Sequence, residues 1–532
     1  MVKKKSKFLY LNIMIGLIIA VMLSGCSGSK SKSSETSGSS QKQVDPGEPQ
    51  YGGTLKISSP IEPANLGVPP EQPGSGFVHM MAPVLETLGK FDEKGVMQPL
   101  LAEKWELEPQ AKTITYFLKK DIKFHDGTDF NAEAVKWNIE LFRQAKRGEV
   151  DGIKSIDVVD ESTVKINLTD WNSSLNNALC FWIQMISPTA YEKNGKDWAT
   201  SHPVGTGAFA FDSWQRGVSI KYKKNEKYWQ KGLPYLDGVE YKIIPDAMTA
   251  SAAFQQREVD ASFYLPVDRV LELEKNDQYK VVTLTTGLGN RENGLIPNSG
   301  NPDSPWANVK VREALAYAID AKTIVEKVLK GGYEVTDQWG PMTGTSYNKD
   351  AKKFEFNPEK AKELLAEAGY PNGFKTKLIS WPGLEHEALP PVYQSYLKEV
   401  GIDAEVVPVD TARMYDLIGS EWDGLMYFDV ITDPDLPLYL ERYLSKKAKL
   451  YVNINHPEKV EELIKKGKAS TDPETKQQAN LELQKAVFEE NHMFFPLAVT
   501  TMPIVMYPNI QDSGFNETYG NVYSPEKTWL SK

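Results

Sequence analysis

The chain has 532 residues, in which 71 acidic residues outnumber 61 lysines and arginines, so that the formal net charge is −10. An acidic chain repels the phosphates of nucleic acid, and nucleic acid is therefore excluded as an expected partner. There are only two cysteines, too few for a disulfide framework. A conventional hydrophobic core must hold the fold together, and the length suffices for two or three domains.

Residues 1–25 are typical of a removable targeting segment. Four lysines precede an apolar run over residues 8–23, which is followed by Ser24 and Gly25. The run spans roughly 16 residues and contains Asn12, whereas a membrane-spanning helix needs about 20 apolar residues. A cleaved signal segment therefore fits better than the alternative, a permanent transmembrane helix.

The end of this segment, Leu23-Ser24-Gly25-Cys26, resembles the lipobox of bacterial lipoproteins, in which the cysteine is lipidated and becomes the N-terminus. A Ser/Gly/Lys tract follows, and residues 26–50 are expected to form a flexible tether. We therefore expect the protein to be anchored to the cell membrane through the lipid on Cys26, on its extracytoplasmic face. Lipidation of Cys26 leaves Cys180 without an intramolecular partner, which predicts that no disulfide forms.

Strands and helices are mixed along the rest of the chain. Alternation of apolar and polar residues predicts strands over 54–58, 112–118 and 164–168. Apolar residues at helical spacing, together with capping residues, predict helices from Asn131, over 309–320, over 357–369 and from 471–473 onward. There is no strict βαβ alternation and no repeat at solenoid spacing. The order of elements indicates an α/β chain of several domains.

Most of the motifs expected of an enzyme of this size are missing from the sequence. It contains no G-x-S-x-G, G-x-x-x-x-G-K-[ST] or C-x-x-C motif. His386-Glu387 begins like the zinc-protease motif H-E-x-x-H, but Pro390 occupies the position of the second histidine. The six histidines are scattered singly, so we expect no metal held by protein side chains alone and no cofactor.

Aromatic residues are abundant, with 12 Trp and 24 Tyr. Most such rings serve core packing. Three segments place rings where the sequence predicts loops, namely Trp339-Gly340-Pro341, Trp381-Pro382-Gly383 and Tyr427-Phe428. Rings in loops are suited to line a cleft and to stack on a small ligand, with core packing as the alternative at each position.

An ordered series of motifs runs through nearly the whole chain after the tether. It includes Pro99–Trp105, Ile122–Thr128, Asn131–Val135, Pro203–Phe209, Asn225–Trp229 and Val311–Leu315. Together these motifs resemble the family 5 extracellular solute-binding proteins, the peptide/nickel-binding family of ATP-binding-cassette (ABC) importers. The resemblance implies a capture subunit that binds a solute and hands it to a membrane permease.

The resemblance also implies the architecture. We expect an α/β, two-lobed, periplasmic-binding-protein-like fold of the cluster C type, with an additional α/β domain on lobe one. Domain I of lobe one should comprise residues 51–90, 205–295 and 501–532, domain II (the additional domain) 91–204, and domain III (lobe two) 296–500. The ligand should bind between the lobes, with hinge crossings near 289–298 and 499–503.

One loop departs from the family pattern. Peptide-binding members contain W-x-x-D-x-x-[DE]-P, where the first acid pairs the ammonium of a peptide, and the corresponding stretch here is 427–434. Tyr427 takes the tryptophan position and Val430 that of the acid, while Asp429 could fill the same space. A buried ammonium without a carboxylate costs several kcal/mol. Free peptides are thus less favoured, and metal chelates, oligosaccharides and small amine or acid solutes stay open as ligands.

The sequence therefore predicts a monomeric substrate-binding lipoprotein of an ABC importer, which captures an oligopeptide, metal chelate or other small solute and is not an enzyme. The predicted ligand-binding residues are Tyr427, Phe428, Asp429, Trp381, His386, Trp339, Arg291 and Asn293. An extracytoplasmic enzyme on the same scaffold and a peptide-sensing lipoprotein are the alternatives.

Overall fold

The computed structural model describes residues 47–71, 78–92, 95–263, 265–284, 291–339, 346–381, 388–431, 435–448, 450–500, 502–515 and 523–532. Residues Glu48–Lys532 form one unit in their tertiary contacts. Within the described ranges, no helix is both long and apolar enough to cross a lipid bilayer.

The strands, in chain order, are β1 (Thr54–Ser59), β2 (Gly89–Phe91), β3 (Met97–Pro99), β4 (Ala102–Glu108), β5 (Thr113–Leu118), β6 (Ile153–Asp160), β7 (Thr163–Leu168), β8 (Phe209–Gln215), β9 (Ser219–Lys224), β10 (Gly238–Ile243), β11 (Ala261–Ser262), β12 (Lys280–Leu284), β13 (Arg291–Pro297), β14 (Tyr333–Val335), β15 (Phe374–Ser380), β16 (Ile402–Pro408), β17 (Leu425–Ile431), β18 (Phe495–Thr500), β19 (Met502–Met506), β20 (Ile510–Gln511) and β21 (Trp529–Leu530).

The helices are α1 (Val78–Met81), α2 (Ala132–Gln144), α3 (Ser174–Phe181), α4 (Pro188–Asn194), α5 (Lys196–Ser201), α6 (Ala247–Gln255), α7 (Val267–Glu274), α8 (Val309–Ala318), α9 (Ala321–Thr323), α10 (Pro358–Glu367), α11 (Leu389–Glu399), α12 (Thr411–Ile418), α13 (Leu436–Leu444), α14 (Glu458–Lys468) and α15 (Pro473–Gln484). Two π-helical segments, Ile324–Val328 and Lys485–Glu490, continue α9 and α15.

Side-chain caps start the helices where the sequence predicts them. Asn131, Asn357 and Asp472 each accept a hydrogen bond from a backbone N–H three residues further on. These bonds satisfy donors that have no partner inside the first turn. The predicted helices at these three positions are therefore confirmed, together with the local reason for their start.

A seven-stranded sheet, ordered β12-β19-β11-β1-β10-β9-β8, gathers strands from the start, the middle and the end of the chain. The strand β1 is central and parallel to β10, and its Leu55 and Ile57 are fully buried. Ser58, which points to the other face, is buried as well. Both faces of β1 are therefore covered, as expected for a central strand, although β19 completes the sheet more than 400 residues later.

A four-stranded antiparallel sheet, ordered β4-β5-β7-β6, is a separate layer covered by α2 and α3. Ile114 and Tyr116 of β5 alternate with polar residues and are fully buried, as are Val164 and Ile166 of β7. The predicted period of two is thus confirmed, and it gives this sheet one apolar face for the helices.

A six-stranded sheet, ordered β14-β18-β13-β17-β15-β16, is formed by residues 291–500. The chain passes from the seven-stranded sheet to this one between β12 and β13, and it returns between β18 and β19. Both connections are short and adjoin the predicted hinge ranges. We call the two parts lobe one and lobe two; the predicted domain boundaries themselves stay predictions.

One buried carboxylate lies where the family-like motifs meet. Glu86 accepts hydrogen bonds from the Thr206 hydroxyl (2.8 Å), the Tyr228 hydroxyl (2.7 Å) and the Trp229 indole (2.9 Å). Burial raises the pKa of this carboxyl to about 7, although the three donors act to lower it. Residues from three distant segments therefore converge on one acid.

A second buried carboxylate joins the four-stranded layer to lobe two. Asp435 is fully buried and receives hydrogen bonds from Ser174 Oγ (2.8 Å), Asn177 Nδ2 (2.7 Å) and Lys476 Nζ (2.6 Å). Nearby, the Trp171 indole donates to the Ser470 carbonyl (3.1 Å). We call the group Asp435, Lys476, Ser174 and Asn177 the α3–α13 contact.

Candidate functional site

The strands β13 and β17 bring predicted site residues from distant parts of the sequence together. They pair antiparallel, with Asn293 opposite Asp429, Leu295 opposite Tyr427, and Glu292 opposite Val430. Opposite residues in such a pair share a face, and neighbours along one strand alternate. Asp429, Asn293 and Tyr427 therefore lie on one face of lobe two, beside the crossing from lobe one.

The face of Asp429 combines polar and aromatic groups. Asp429 is half-buried and Asn293 is buried, while the Trp381 ring lies 5.3 Å from the Tyr427 ring in a T-shaped contact. Trp381 directly follows β15, which runs parallel to β17. A carboxylate can bind an ammonium, and an amide can donate a hydrogen bond to a carboxylate. Two aromatic rings can cover an apolar group of a ligand.

Phe428 and Trp339 lie on the opposite face of the sheet. The Trp339 ring is 4.2 Å from Phe494, 4.8 Å from Tyr439, 5.8 Å from Tyr443 and 6.0 Å from Phe428. Both Trp339 and Phe428 are fully enclosed by this aromatic cluster. Core packing accounts for them, and ligand contact by these two residues stays a prediction.

Glu292 is a candidate functional residue that sequence reasoning overlooked. Its side chain is fully buried in β13, on the same face as Val430. Burial together with Tyr443 and Glu292 raises the pKa of the Tyr439 hydroxyl well above its usual range. No local signal in the sequence indicates this burial, because residues 291–294 are Arg, Glu, Asn and Gly; a buried carboxylate is nevertheless a candidate for function.

Arg291 and His386 are two predicted site residues whose side chains lie outside the described part of the structure. The backbone of Arg291 pairs with Ile431 at the start of β13, while its side chain lies outside the described part of the structure. His386 lies outside the described residues. Ligand contact by either residue stays a prediction.

The described ranges contain His, Cys, Asp and Glu side chains, the residue types that most often bind metal ions. None of the His, Cys, Asp and Glu side chains there forms a group of three or more that could hold a metal ion.

Two α/β lobes, linked by short crossings that adjoin polar and aromatic side chains, define a two-lobed solute-binding protein. A sequence model of bacterial extracellular solute-binding proteins, family 5 (middle), matches residues 96–487. The chain belongs to this family.

Curated relatives include the glutathione-binding protein GsiB of Escherichia coli strain K12, which is 36% identical over 336 residues. GsiB of Shigella flexneri is 37% identical over the same length. Each match covers 60% of this chain and 63% of the relative. The chain thus aligns with less than two thirds of the length of these relatives.

Solved structures share the fold over nearly the whole chain. The periplasmic binding protein AgaA of A. tumefacien R10, solved with agropinic acid, is 26% identical, with a TM-score of 0.76 over 90% of this chain and 99% of that one. DppA of Helicobacter pylori, solved with the peptide STSA, is 22% identical, with a TM-score of 0.78 over 91% and 99%. The expected two-lobed periplasmic-binding-protein fold is confirmed.

Proposed function

We propose that this protein captures a small peptide of the glutathione type between its two lobes and delivers it to a membrane ABC importer. The observation that carries the proposal is the placement of Asp429 opposite Asn293 on β13 and β17, in a chain similar to glutathione-binding proteins. Family membership supports binding and release, without turnover, as the activity.

The charges of glutathione match the groups on these strands. Glutathione has one ammonium, two carboxylates and a thiol, so its recognition requires at least one acid and several N–H donors. Val430 occupies the position of the acid in the peptide-binding pattern, but Asp429 adjoins it and Glu292 lies directly across from it. We assign the ammonium to Asp429 and a ligand carboxylate to the amide of Asn293.

We assign an apolar wall of the same face to the ring pair Trp381 and Tyr427, both of which are buried in this structure. Burial of a small ligand between two lobes supplies affinity from both sides, and closure about the crossings excludes water. An enzyme or a peptide sensor on this scaffold stays the alternative, and each would require a group or partner beyond the ones assigned here.

Asp429→Asn is expected to weaken glutathione binding by about tenfold to a hundredfold, because a hydrogen bond to a charged group contributes about 1.5–3 kcal/mol. Isothermal titration calorimetry of the purified protein measures the change. Asp423→Asn is the matched control: Asp423 is exposed just before β17 and pairs with Lys377 at 3.3 Å. Equal affinity in the Asp429 variant and wild type would contradict the assignment, and a loss confined to Glu292→Gln would move the role to Glu292.

We also propose that the mature protein is a lipoprotein held at the extracytoplasmic face of the membrane through Cys26. Cys26→Ser removes the thiol that accepts the lipid, so the variant is expected to move from the membrane fraction to the soluble extracytoplasmic fraction. Cell fractionation and labelling with radioactive palmitate test this. Cys180→Ser, at a buried position, is the control and should stay with the membrane; an unchanged location of both variants contradicts the anchor.

A further inference from the structure

Lobe two contains a cavity that is separate from the face of Asp429. Its volume is about 320 Å³, and its walls come from residues 312–356 and 488–496 among the described residues. No residue of β13 or β17 lines it. Small-molecule sites in proteins typically occupy roughly 300–1,000 Å³, so this space has the size of a binding site.

Five phenylalanine rings contribute to the cavity walls. The rings are Phe354, Phe356, Phe488, Phe494 and Phe495. Phe356 at the mouth is 38% exposed, an unusual exposure for so large an apolar side chain. Ring walls of this kind favour a flat apolar molecule that stacks on them or meets them edge to face.

His492 is one of seven polar or charged side chains that line the cavity; the others are Arg312, Asp320, Lys322, Thr336, Asp337 and Glu355. Only 6% of His492 is exposed, and its ring lies 5.3 Å from the Phe354 ring. In the described part of the chain its imidazole nitrogens have no hydrogen-bond partner, although they line the cavity. A buried imidazole that lacks a partner inside the protein is suited to bind one supplied by a ligand.

The charged groups around His492 favour a neutral ligand. Burial, helped by Lys352 and Arg312, lowers the pKa of His492 to about 4, so the ring is uncharged at neutral pH. Each nitrogen of the Arg312 guanidinium donates to a backbone carbonyl, including those of Trp306 (2.8 Å) and Asn491 (2.8 Å). Asp337 pairs with Lys353 at 2.9 Å.

We propose that this cavity is a second binding site, for a small neutral molecule with one or two fused rings and a single N–H or O–H group directed at His492. A cavity of about 150 Å³ already accepts benzene, and twice that volume suits a fused bicycle. The site goes beyond solute capture between the lobes, and its ligand is independent of that solute.

Indole and indene form the probe pair, because they differ in shape only by the replacement of an N–H by a CH₂. Calorimetry and the imidazole NMR signals of His492 report binding to the purified wild-type protein. We expect indole to bind about fivefold more tightly than indene, in line with one net hydrogen bond, and to shift the His492 signals. Equal affinity for both probes, or no binding of either at millimolar concentration, overturns the proposal.

Ala316→Leu locates the site. Ala316 lines the cavity on α8, and leucine both extends into the space and favours a helix. We expect at least a tenfold loss of indole affinity with glutathione affinity unchanged, whereas Ala366→Leu on the exposed side of α10 should change neither. Val335→Phe, at the cavity edge, replaces this variant if Ala316→Leu fails to fold. If a folded cavity-filling variant, Ala316→Leu or Val335→Phe, binds indole as tightly as the wild type, indole does not bind in this cavity and the proposal is contradicted.

Discussion

Lys476→Met is expected to lower the free energy of unfolding by about 3–5 kcal/mol, because it leaves the carboxylate of Asp435 buried without its countercharge. Burial alone would raise the pKa of Asp435, but the Lys476 ammonium and the hydrogen bonds from Ser174 and Asn177 hold it below its usual value. The side chain of Asp435 is 0% exposed, so water cannot replace the lost ammonium. Urea denaturation at pH 7 measures the loss.

Lys466→Met is the matched control for this prediction. Lys466 pairs with Glu482 at 2.8 Å, but the lysine side chain is 47% exposed, and exposed pairs contribute about 0–1 kcal/mol. The double variant Asp435→Asn with Lys476→Met removes both charges and should recover part of the stability. If Lys476→Met and Lys466→Met lowered the free energy of unfolding equally, the α3–α13 contact would stabilise the fold no more than a surface ion pair does.

Glu86→Gln is expected to abolish a fall in stability that the wild type shows as pH rises from about 4.5 to about 7. The carboxyl has a pKa near 4.5 when unfolded and about 7 when folded, so in this window the folded protein binds more protons than the unfolded one. Stability therefore decreases with rising pH, by about 3 kcal/mol over the window. Thermal unfolding at pH 5 and pH 8, compared between variant and wild type, measures the difference.

Glutamine can keep the three contacts of Glu86, because its carbonyl accepts from Thr206 and Trp229 while its amide donates to the Tyr228 hydroxyl oxygen. Glu161→Gln, at an exposed turn before β7, is the control and should leave the pH profile as it is in wild type. A profile that is equally steep with Glu86→Gln contradicts the assignment of this pH dependence to Glu86.

Local patterns predicted the elements of the fold, because capping and periodicity act within a few residues. The N-cap Asn357 and the alternation in 113–118 are visible in the sequence and match α10 and β5. The two-lobed fold was predicted from the series of family-like motifs, which extends through nearly the whole chain after the tether. Both the local patterns and the motif series can be read without knowing which residues are in contact across the fold.

Long-range contacts could not be predicted in the same way. Asp435 and Ser174 are 261 residues apart, and no local pattern marks them as partners. Trp339 was predicted to line the cleft because Gly340 and Pro341 follow it, but the structure surrounds it with four aromatic rings brought in by α13, β17 and the segment before β18. Glu292 was not predicted as a site residue, since its place opposite Val430 depends on strand register.

Equilibrium dialysis of the purified protein against glutathione, followed by mass spectrometry of the released ligand, tests the proposed capture most directly. We expect one glutathione to be retained per chain and to be recovered chemically intact after denaturation of the protein. Retention of no ligand would contradict capture of glutathione, and recovery of cleaved or otherwise altered glutathione would contradict a binding protein without turnover.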